Sequence, residues 1–371
     1  MTDLVVMSLE PWDGVWRRNQ HLISRLVAAD RDLRVLFVSP PADPLHDVRS
    51  RRRPTWARGI RLVDGADRLW SLRPVKPLPR RVDPRADDRI ARQVVRAARR
   101  LGMADPILWI NDPGATPLAQ RTGWRTLYDV TDDWLAADRP AAELERIGVA
   151  EEWLLANAGE VVVCSPELLR RKQPLRPGAA HPIAVIPNAV DAAAYRVPTA
   201  RPFDLPPGRT AVYVGTLHRD RLDVDLCVAT ATALGGTGTL VLVGPNALDA
   251  ADTVLLAHAG VALLGAKNRN EVVAYLRHAD VLVVPHVVTS FTESLDPIKL
   301  YEYQAAGRPV ISTPVAGFRD AGDPRITIAG ASTFAAQVAN AVAHDLRAHD
   351  APLLPDWEER TAAMRETLER L

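Results

Sequence analysis

Residues Glu293-Ser-Leu-Asp-Pro-Ile-Lys-Leu-Tyr-Glu-Tyr-Gln-Ala-Ala-Gly-Arg-Pro-Val-Ile-Ser312 predict a helix followed by a buried strand. Pro297 suits the start of that helix, where its nitrogen needs no hydrogen-bond partner. The free amides of the first turn and the side chain of Lys299 form a positive end that favours phosphate. Glu302 lies one helical turn beyond Lys299, where its carboxylate can accept hydrogen bonds from the two vicinal hydroxyls of a ribose. The stretch therefore predicts a nucleotide-diphosphate site.

The lysine in this stretch stands out against the composition. The chain has four lysines and 42 arginines, so composition alone favours arginine at position 299. The alternative is a solvated Lys–Glu pair on a helix surface. We favour the phosphate site, because the helix start and the lysine point to the same ligand.

Short apolar runs alternate with helical stretches on both sides of this segment. This pattern is typical of parallel βα units, and it predicts two doubly wound α/β halves. The predicted strands are Leu4–Ser8, Val35–Ser39, Ile107–Ile110, Thr126–Asp129, Val161–Cys164 and Ala184–Ile186, then Ala211–Gly215, Leu240–Gly244, Val261–Leu264, Val281–Val284 and Pro309–Ser312.

The length of 371 residues also suits two domains. A proline-rich stretch without apolar periodicity, 198–208, is the predicted linker between a first domain over 1–197 and a second over 209–355. Asp356 resembles a helix N-cap, so 356–371 is predicted to be a terminal helix that packs back on the first domain. Residues 40–86 read as an irregular insertion rich in Arg and Pro.

The loop after the first strand of the second half is a second candidate for phosphate binding. Gly215 allows the chain to turn, Arg219 and Arg221 follow it, and a helix starts near Asp223 with free amide groups. The alternative is an ordinary turn with solvated arginines.

The corresponding loops of the first half carry aromatic, basic and acidic residues. After the first strand, Gly14 supplies a turn and Arg17 can reach phosphate across a cleft, while Trp12 either stacks on sugar or packs in the protein. Three carboxylates lie at the end of the fourth strand, and such neighbours raise one another's pKa. One of them is expected to orient the acceptor or the reacting sugar, unless it caps the next helix; they are Asp129, Asp132 and Asp133.

Several motifs in order resemble one enzyme family. The segment from Asp296 to Val310 resembles the donor-site helix of retaining GT-B glycosyltransferases of family 4, in the branch of bacterial teichuronic-acid-type glycosyltransferases. Matching motifs are Val185-Ile-Pro-Asn-Ala-Val-Asp191, Val241-Leu-Val-Gly244, Leu264-Gly265, His278-Ala-Asp-Val-Leu-Val-Val-Pro285 and the Trp, Arg, Gln and His pattern that ends at His21. The resemblance covers nearly the whole chain and implies a GT-B fold.

The resemblance also implies roles for individual residues. The second Glu of the family's Glu-x7-Glu motif, which binds ribose, falls on Glu302, whereas the first falls on Ser294, with Glu293 adjacent. The family's phosphate-binding Arg and Lys fall on Thr216 and Arg221, with Arg219 in reserve, and Tyr128 replaces a family histidine. The expected catalytic residues are Lys299, Arg221 and Asp132. The expected acceptor site is Trp12, Asp129, Asp133 and Trp134. The expected donor site is formed by Gly14, Arg17, Gly215, Thr216, Arg219, Ala266, Lys267, Ser294, Asp296, Pro297, Ile298, Leu300 and Glu302.

The reaction implied by this resemblance is transfer of a sugar from a nucleotide-diphosphate donor to an acceptor hydroxyl, with retention of the anomeric configuration. Cationic side chains would stabilise the leaving diphosphate, so neither a metal ion nor another cofactor is expected. UDP, GDP, dTDP and ADP all remain candidate nucleotides, and a glycan, a lipid-linked molecule or a natural product remains the acceptor. The alternatives are a nucleotide-sugar epimerase of the same fold and an inactive nucleotide-sugar-binding protein.

Composition limits the location and the partners. The apolar runs are much shorter than the roughly 20 residues of a spanning helix, and no signal peptide opens the chain, so a cytoplasmic location is expected. The two cysteines and the histidine spacings indicate no metal site, and no nucleic-acid partner is expected. Arginines are concentrated in the first half, either as a solvated face or as a contact for an anionic acceptor or membrane surface; they are Arg49, Arg51, Arg52, Arg53, Arg80, Arg81, Arg96, Arg99 and Arg100.

Overall fold

The computed structural model describes residues 3–49, 55–56, 58–80, 82–178, 180–344 and 354–371. Of the arginines in the predicted clusters, Arg51, Arg52, Arg53 and Arg81 lie outside these residues. The described chain forms two α/β domains, each built on its own sheet. The two sheets face each other across a cleft.

The first domain has an eight-stranded sheet in the order β3-β4-β2-β1-β5-β6-β7-β8. All pairs are parallel except β3 with β4. Its strands are β1 (Asp3–Met7), β2 (Arg34–Val38), β3 (Arg58–Leu62), β4 (Leu69–Arg73), β5 (Ile107–Ile110), β6 (Thr126–Val130), β7 (Glu160–Val163) and β8 (Ala184–Val185). Its helices are α1 (Arg18–Ala29), α2 (Pro44–Arg49), α3 (Ala86–Arg100), α4 (Thr116–Thr122), α5 (Ala141–Asn157) and α6 (Pro166–Lys172).

The segment 40–86 is not irregular, contrary to the prediction. It contains α2 and adds β3 and β4 to the edge of the sheet. The sequence pattern hides these strands because neither reads as a continuous apolar run: β3 is the edge strand, and β4 beside it is only partly buried. In β3, two arginines flank Gly59 and Ile60, and Leu62 is exposed.

The second domain has a six-stranded, wholly parallel sheet in the order β11-β10-β9-β12-β13-β14. The strand β14, which the sequence pattern did not predict, is a three-residue edge strand. The strands are β9 (Thr210–Val214), β10 (Thr239–Val243), β11 (Ala262–Gly265), β12 (Val281–Val284), β13 (Val310–Ser312) and β14 (Ile326–Ile328). The helices are α7 (Val224–Leu234), α8 (Ala250–His258), α9 (Arg269–His278), α10 (Ile298–Ala306) and α11 (Ala331–Ala343).

Each sheet is covered on both faces by apolar side chains, so each domain has two core layers. Strand order reverses beside β1 in the first domain and beside β9 in the second, because the chain crosses to the other side of the sheet there. Ligands of open α/β sheets bind at such switch points, outside the carboxyl ends of the strands. The carboxyl ends of β1 and β9 therefore position the cleft.

The packing places the change of domain earlier than the predicted boundary at 197. Val190 and Tyr195 are buried in the core of the second domain together with Leu205. The predicted linker over 198–208 lies along the same domain, where Asp204 forms an ion pair with Lys267 at 2.5 Å. The prolines prevent helix formation, but they do not prevent this stretch from packing.

The last helix, α12 (Trp357–Glu369), lies against α1 of the first domain. Asp356 caps it by accepting a hydrogen bond from the amide of Glu359. Trp357 is 1% exposed, and its ring stacks on His21 with 4.5 Å between centroids. The far end is held by Arg370, which is ion-paired with the buried Glu160. The C-terminal segment is therefore part of the first domain's core.

We expect Trp357→Ala to lower the free energy of unfolding by about 3–5 kcal/mol, because it leaves a cavity under α12. Urea unfolding followed by circular dichroism measures the change. Glu366→Ala on the exposed face of the same helix is the control and should change stability by less than about 0.5 kcal/mol. Equal effects of the two substitutions would show that the docked tryptophan is not an anchor.

Candidate active site

A cavity of about 600 Å³ lies between the domains, within the size range of small-molecule sites. Loops at the carboxyl ends of both sheets line it. The predicted site residues that line the cavity are Arg17, Asp132, Trp134, Gly215, Thr216, Arg221, Lys267, Asp296, Pro297, Ile298, Lys299 and Glu302. The remaining predicted residues do not line it.

Lys299 projects from the first turn of α10 towards the carboxyl end of β9. Its Nζ donates a hydrogen bond to Tyr213 Oη at 2.8 Å, lies 4.2 Å from the centre of that ring, and is 3.3 Å from His286 Nε2. Burial, assisted by the like charge of Arg221, lowers the pKa of Lys299 to about 7. The amine is thus held at a fixed position in the cavity wall.

Glu302 lines the cavity one turn further along α10. Burial raises the pKa of Glu302 to about 7, against the opposing effect of Lys299. Hydrogen bonds donated to this carboxylate by two hydroxyl groups of a ligand would favour its ionised form. The carboxylate is therefore suited to a vicinal diol such as that of a ribose.

Two other residues predicted in this helical segment do not face the donor. Ser294 is fully buried, and its hydroxyl donates to the carbonyl of Phe291 at 2.7 Å. Leu300 packs in the core of the second domain. The neighbouring Glu293 does not replace Ser294, because it pairs with Arg319 at 2.9 Å outside the cavity. The first position of the family's Glu-x7-Glu motif is therefore structural in this chain.

The loop after β9 brings one of its two arginines to the cavity. Arg221 lies there, pairs across the cleft with Asp132 at 3.3 Å, and packs its guanidinium over the ring of Phe291. Arg219 does not line the cavity, contrary to the prediction. It forms two hydrogen bonds of 2.6 Å with the buried Asp252, and this ion pair holds it on α8.

The first-domain loop contributes less than predicted. Arg17 lines the cavity, but its guanidinium is ion-paired with Glu10 at 2.9 Å. Gly14 does not line the cavity; its carbonyl accepts the amide hydrogen of Arg269 at the start of α9. Trp12 packs edge-on against Phe37 of β2, so its predicted alternative as a packing residue is the correct one.

Only one of the three predicted carboxylates faces the cavity, and that is Asp132. Asp129 is fully buried and accepts hydrogen bonds from Arg18 at 3.2 and 3.3 Å. Asp133 forms ion pairs of 2.7 Å with Arg171 and Lys172. Both are satisfied inside the first domain, so the prediction that they bind an acceptor is wrong.

The predicted base site is only partly at the cavity. Lys267 lines it while pairing with Asp204, but Ala266 is exposed and lies outside. Trp134 lines the first-domain side, and the guanidinium of Arg139 lies 5.6 Å from the centre of its ring.

Sequence reasoning missed several lining residues. Tyr213 is hidden inside a strand, where an aromatic residue normally indicates core packing. His286 lies just after the end of β12, and Glu10 lies just after the end of β1. Their position after a strand end was the signal that could have found them. Arg139 and Arg146, which extend the cavity into the first domain, carry no such signal. Arg80, one of the clustered arginines predicted either as a solvated face or as a contact for an anionic acceptor, also lines the cavity.

Among the described residues, no group of three or more His, Cys, Asp or Glu side chains is arranged to hold a metal ion. No helix in the described ranges combines the length and the apolar character needed to cross a bilayer.

Comparisons with known proteins agree with this geometry. The family model for glycosyl transferases group 1 matches residues 208–345. Over 217 residues, which is 56% of this chain, the sequence is 24% identical to the putative teichuronic acid biosynthesis glycosyltransferase TuaH of Bacillus subtilis (strain 168). The match spans about half of that relative, 55% of its length.

Solved structures resemble the whole chain. Sucrose-phosphate synthase from Thermosynechococcus elongatus has a TM-score of 0.69 at 17% identity, with 100% of this chain and 99% of that chain covered. Anabaena HepE in complex with UDP-glucose has a TM-score of 0.64 at 16% identity, with 100% of both chains covered. The expected fold class is thus confirmed: the chain has the GT-B fold, and its residues 208–345 match the model for glycosyl transferases group 1.

Proposed function

We propose that this protein is a glycosyltransferase that moves a sugar from a nucleotide-diphosphate donor to an acceptor hydroxyl, with retention and without a metal ion. The observation that carries the proposal is the arrangement of Lys299, Arg221 and Glu302 around one cavity between the two domains. Two cations suit a diphosphate, and a carboxylate one helical turn away suits a ribose. The HepE structure of the same fold was solved with UDP-glucose, which supports a nucleotide sugar as the donor.

The donor would lie along the start of α10. Free amides of that first turn favour an anion, and Lys299 and Arg221 add positive charge on either side. Gly215 and Thr216 line the same cavity. Glu302 then accepts the ribose hydroxyls, and Lys267 lies near the nucleotide base.

Catalysis follows from where negative charge develops. The bond between the anomeric carbon and the diphosphate breaks, and its electron pair goes to the diphosphate oxygen. The acceptor oxygen bonds to the anomeric carbon on the same face, and its proton passes to that diphosphate oxygen. Lys299 and Arg221 stabilise the leaving group, at about 3–4 kcal/mol for each preorganised donor. Asp132 orients Arg221 through their ion pair across the cleft.

The acceptor would enter from the first-domain side. Trp134 offers an aromatic face for a sugar ring, and Arg139 and Arg146 line the same part of the cavity. A glycan, a lipid-linked molecule or a natural product fits this description. We infer that the reaction takes place in the cytoplasm. Exposed Arg99 and Arg100 at the end of α3 support peripheral contact with an anionic membrane, at about 1 kcal/mol per basic residue.

We expect Glu302→Gln to weaken nucleotide binding by about tenfold or more, because an amide replaces a charged acceptor of two hydroxyl hydrogens. Isothermal calorimetry with the best-binding of UDP, GDP, dTDP and ADP measures the affinity. Glu293→Gln is a matched control, because Glu293 lies nearby in the chain and outside the cavity. Unchanged affinity in Glu302→Gln would remove this carboxylate from the donor site.

Lys299→Met should slow the breakdown of the nucleotide sugar by about 100-fold or more, because the leaving diphosphate loses a cation. Release of nucleotide diphosphate by slow donor hydrolysis measures the rate without a known acceptor. Binding of the nucleoside alone should not change, and Lys76→Met, at an ion-paired lysine away from the cavity, serves as the control. A similar loss in nucleoside affinity and in rate would assign Lys299 to binding only.

We expect activity to survive treatment with EDTA, because cationic side chains can neutralise the diphosphate. The rate of donor breakdown is compared before and after chelation, and again after addition of Mg²⁺. A complete loss that Mg²⁺ restores would contradict the metal-independent mechanism.

A further inference from the structure

Lys299 differs from the other three lysines of the chain. Lys76, Lys172 and Lys267 each form an ion pair with a carboxylate of Asp43, Asp133 and Asp204, at 2.8, 2.7 and 2.5 Å respectively. Within the described part of the chain, no carboxylate lies within 4.0 Å of Lys299. Its nearest polar partners are the neutral groups of Tyr213 and His286.

These neutral groups form a closed triangle with the amine. Tyr213 Oη is 3.1 Å from His286 Nε2, and both side chains are buried. A Cβ atom on Gly215 would lie 2.7 Å from Lys299 Nζ, so the backbone closes the remaining side. The amine is therefore held in place even though no counter-ion holds it.

His286 is a neutral imidazole in this arrangement. Its Nε2 lies 3.1 Å from Tyr213 Oη and 3.3 Å from Lys299 Nζ. With the ring proton on Nδ1, the single lone pair of Nε2 accepts a hydrogen bond from one of these two groups. Burial, with the charges of Lys299 and Arg221, lowers the pKa of His286 well below its ordinary value. Burial also raises the pKa of the Tyr213 hydroxyl. Neither partner supplies charge near neutral pH.

The charged groups that face Lys299 are few. Arg221 repels an ammonium from the loop after β9, and Glu302 attracts it from the next turn of α10. Burial and Arg221 together lower the pKa of Lys299 to about 7, so the free amine carries only part of its charge at pH 7. A diphosphate is the anion that would complete this site.

We propose that Tyr213 and His286 are positioning residues that hold Lys299 as an amine without a counter-ion, so that Lys299 takes up a proton when the donor diphosphate enters. The inference rests on the proposed function, because it requires a nucleotide-diphosphate donor at this cavity. The proton comes from the buffer and binds to the lone pair of Nζ. No other bond changes.

Proton uptake by Lys299 makes the affinity for the donor fall as the pH rises above about 7. The diphosphate favours the ammonium form, so it raises the pKa of Lys299 in the complex above the free value of about 7. This contribution to donor affinity is fully present below pH 7. It is lost by up to about tenfold per pH unit as the pH rises from there to the pKa of the complex.

A resonance from Lys299 itself is the best measurement, because Glu302 complicates a total count of protons. Burial raises the pKa of Glu302 to about 7, and ribose binding would release a proton there. The experiment therefore uses the full chain with ¹³C at Cε of its four lysines. Lys299→Arg assigns the signal, and the three ion-paired lysines serve as internal references. The probe is whichever of UDP-, GDP-, dTDP- and ADP-glucose raises the melting temperature most.

We expect the Lys299 signal of the free chain to titrate near pH 7 and to move up by about one pH unit or more with saturating nucleotide sugar. Tyr213→Phe should lower the free midpoint, because the ammonium loses an acceptor while the ring packing is kept. Arg221→Gln should raise it, because a like charge is removed. If Tyr213 only packed against its neighbours, Tyr213→Phe would leave the Lys299 midpoint unchanged in the free chain and in the complex.

Proton uptake by Lys299 and the proposed donor site are refuted by different results. If the nucleotide sugar binds and the Lys299 midpoint does not change, or if the free midpoint lies near the ordinary lysine value of about 10.4, proton uptake is refuted while the donor site stands. If none of the four nucleotide sugars stabilises the chain or perturbs the Lys299 signal, the proposed function fails, and the proton uptake that rests on it fails too.

Discussion

The close approach of side chains to the backbone at Gly215 is the constraint on which the donor site depends. A Cβ atom there would lie 2.7 Å from Lys299 Nζ and 2.8 Å from Tyr213 Oη. A Cβ atom on Gly244, at the end of the neighbouring strand β10, would lie 2.0 Å from the carbonyl oxygen of Gly215. Two glycines at adjacent strand ends thus allow α10 to bring its lysine against the sheet edge. A larger residue at Gly215 would displace Lys299 or Tyr213, and one at Gly244 would displace the backbone of Gly215.

The sequence predicts the central strands well because they are buried on both faces. All four residues of β12 are apolar and buried, so a continuous apolar run marks the strand without a competing period. The edge strands lack this mark. Strand β14 has only three residues and is partly exposed, and β3 begins with an arginine and contains a glycine. Their pairing is decided by the neighbouring strand, which a local pattern does not contain.

Some residues of the candidate site can likewise be predicted from local sequence, whereas others depend on partners that are distant in the sequence. Lys299 and Glu302 could be predicted together because one helical turn fixes their spacing. Arg219, Asp129 and Asp133 carry the expected chemistry at the expected strand ends, yet each is neutralised by a partner elsewhere. Asp252 lies 33 residues after Arg219, and Arg18 lies 111 residues before Asp129. A charged residue is available for a ligand only when no internal partner takes it, and that depends on the tertiary fold.

Those internal partners nevertheless connect to the cavity. Arg18 is ion-paired with the buried Asp129 and also donates a hydrogen bond to the side chain of Asn188. Asn188 in turn donates from its backbone and its side-chain amide to Asp296, which lines the cavity just before α10. Removing one member of a buried ion pair leaves an uncompensated charge, so the pair resists displacement. Asp129 therefore contributes to the site through Arg18 and Asn188, by fixing where the donor loop stands relative to the first domain.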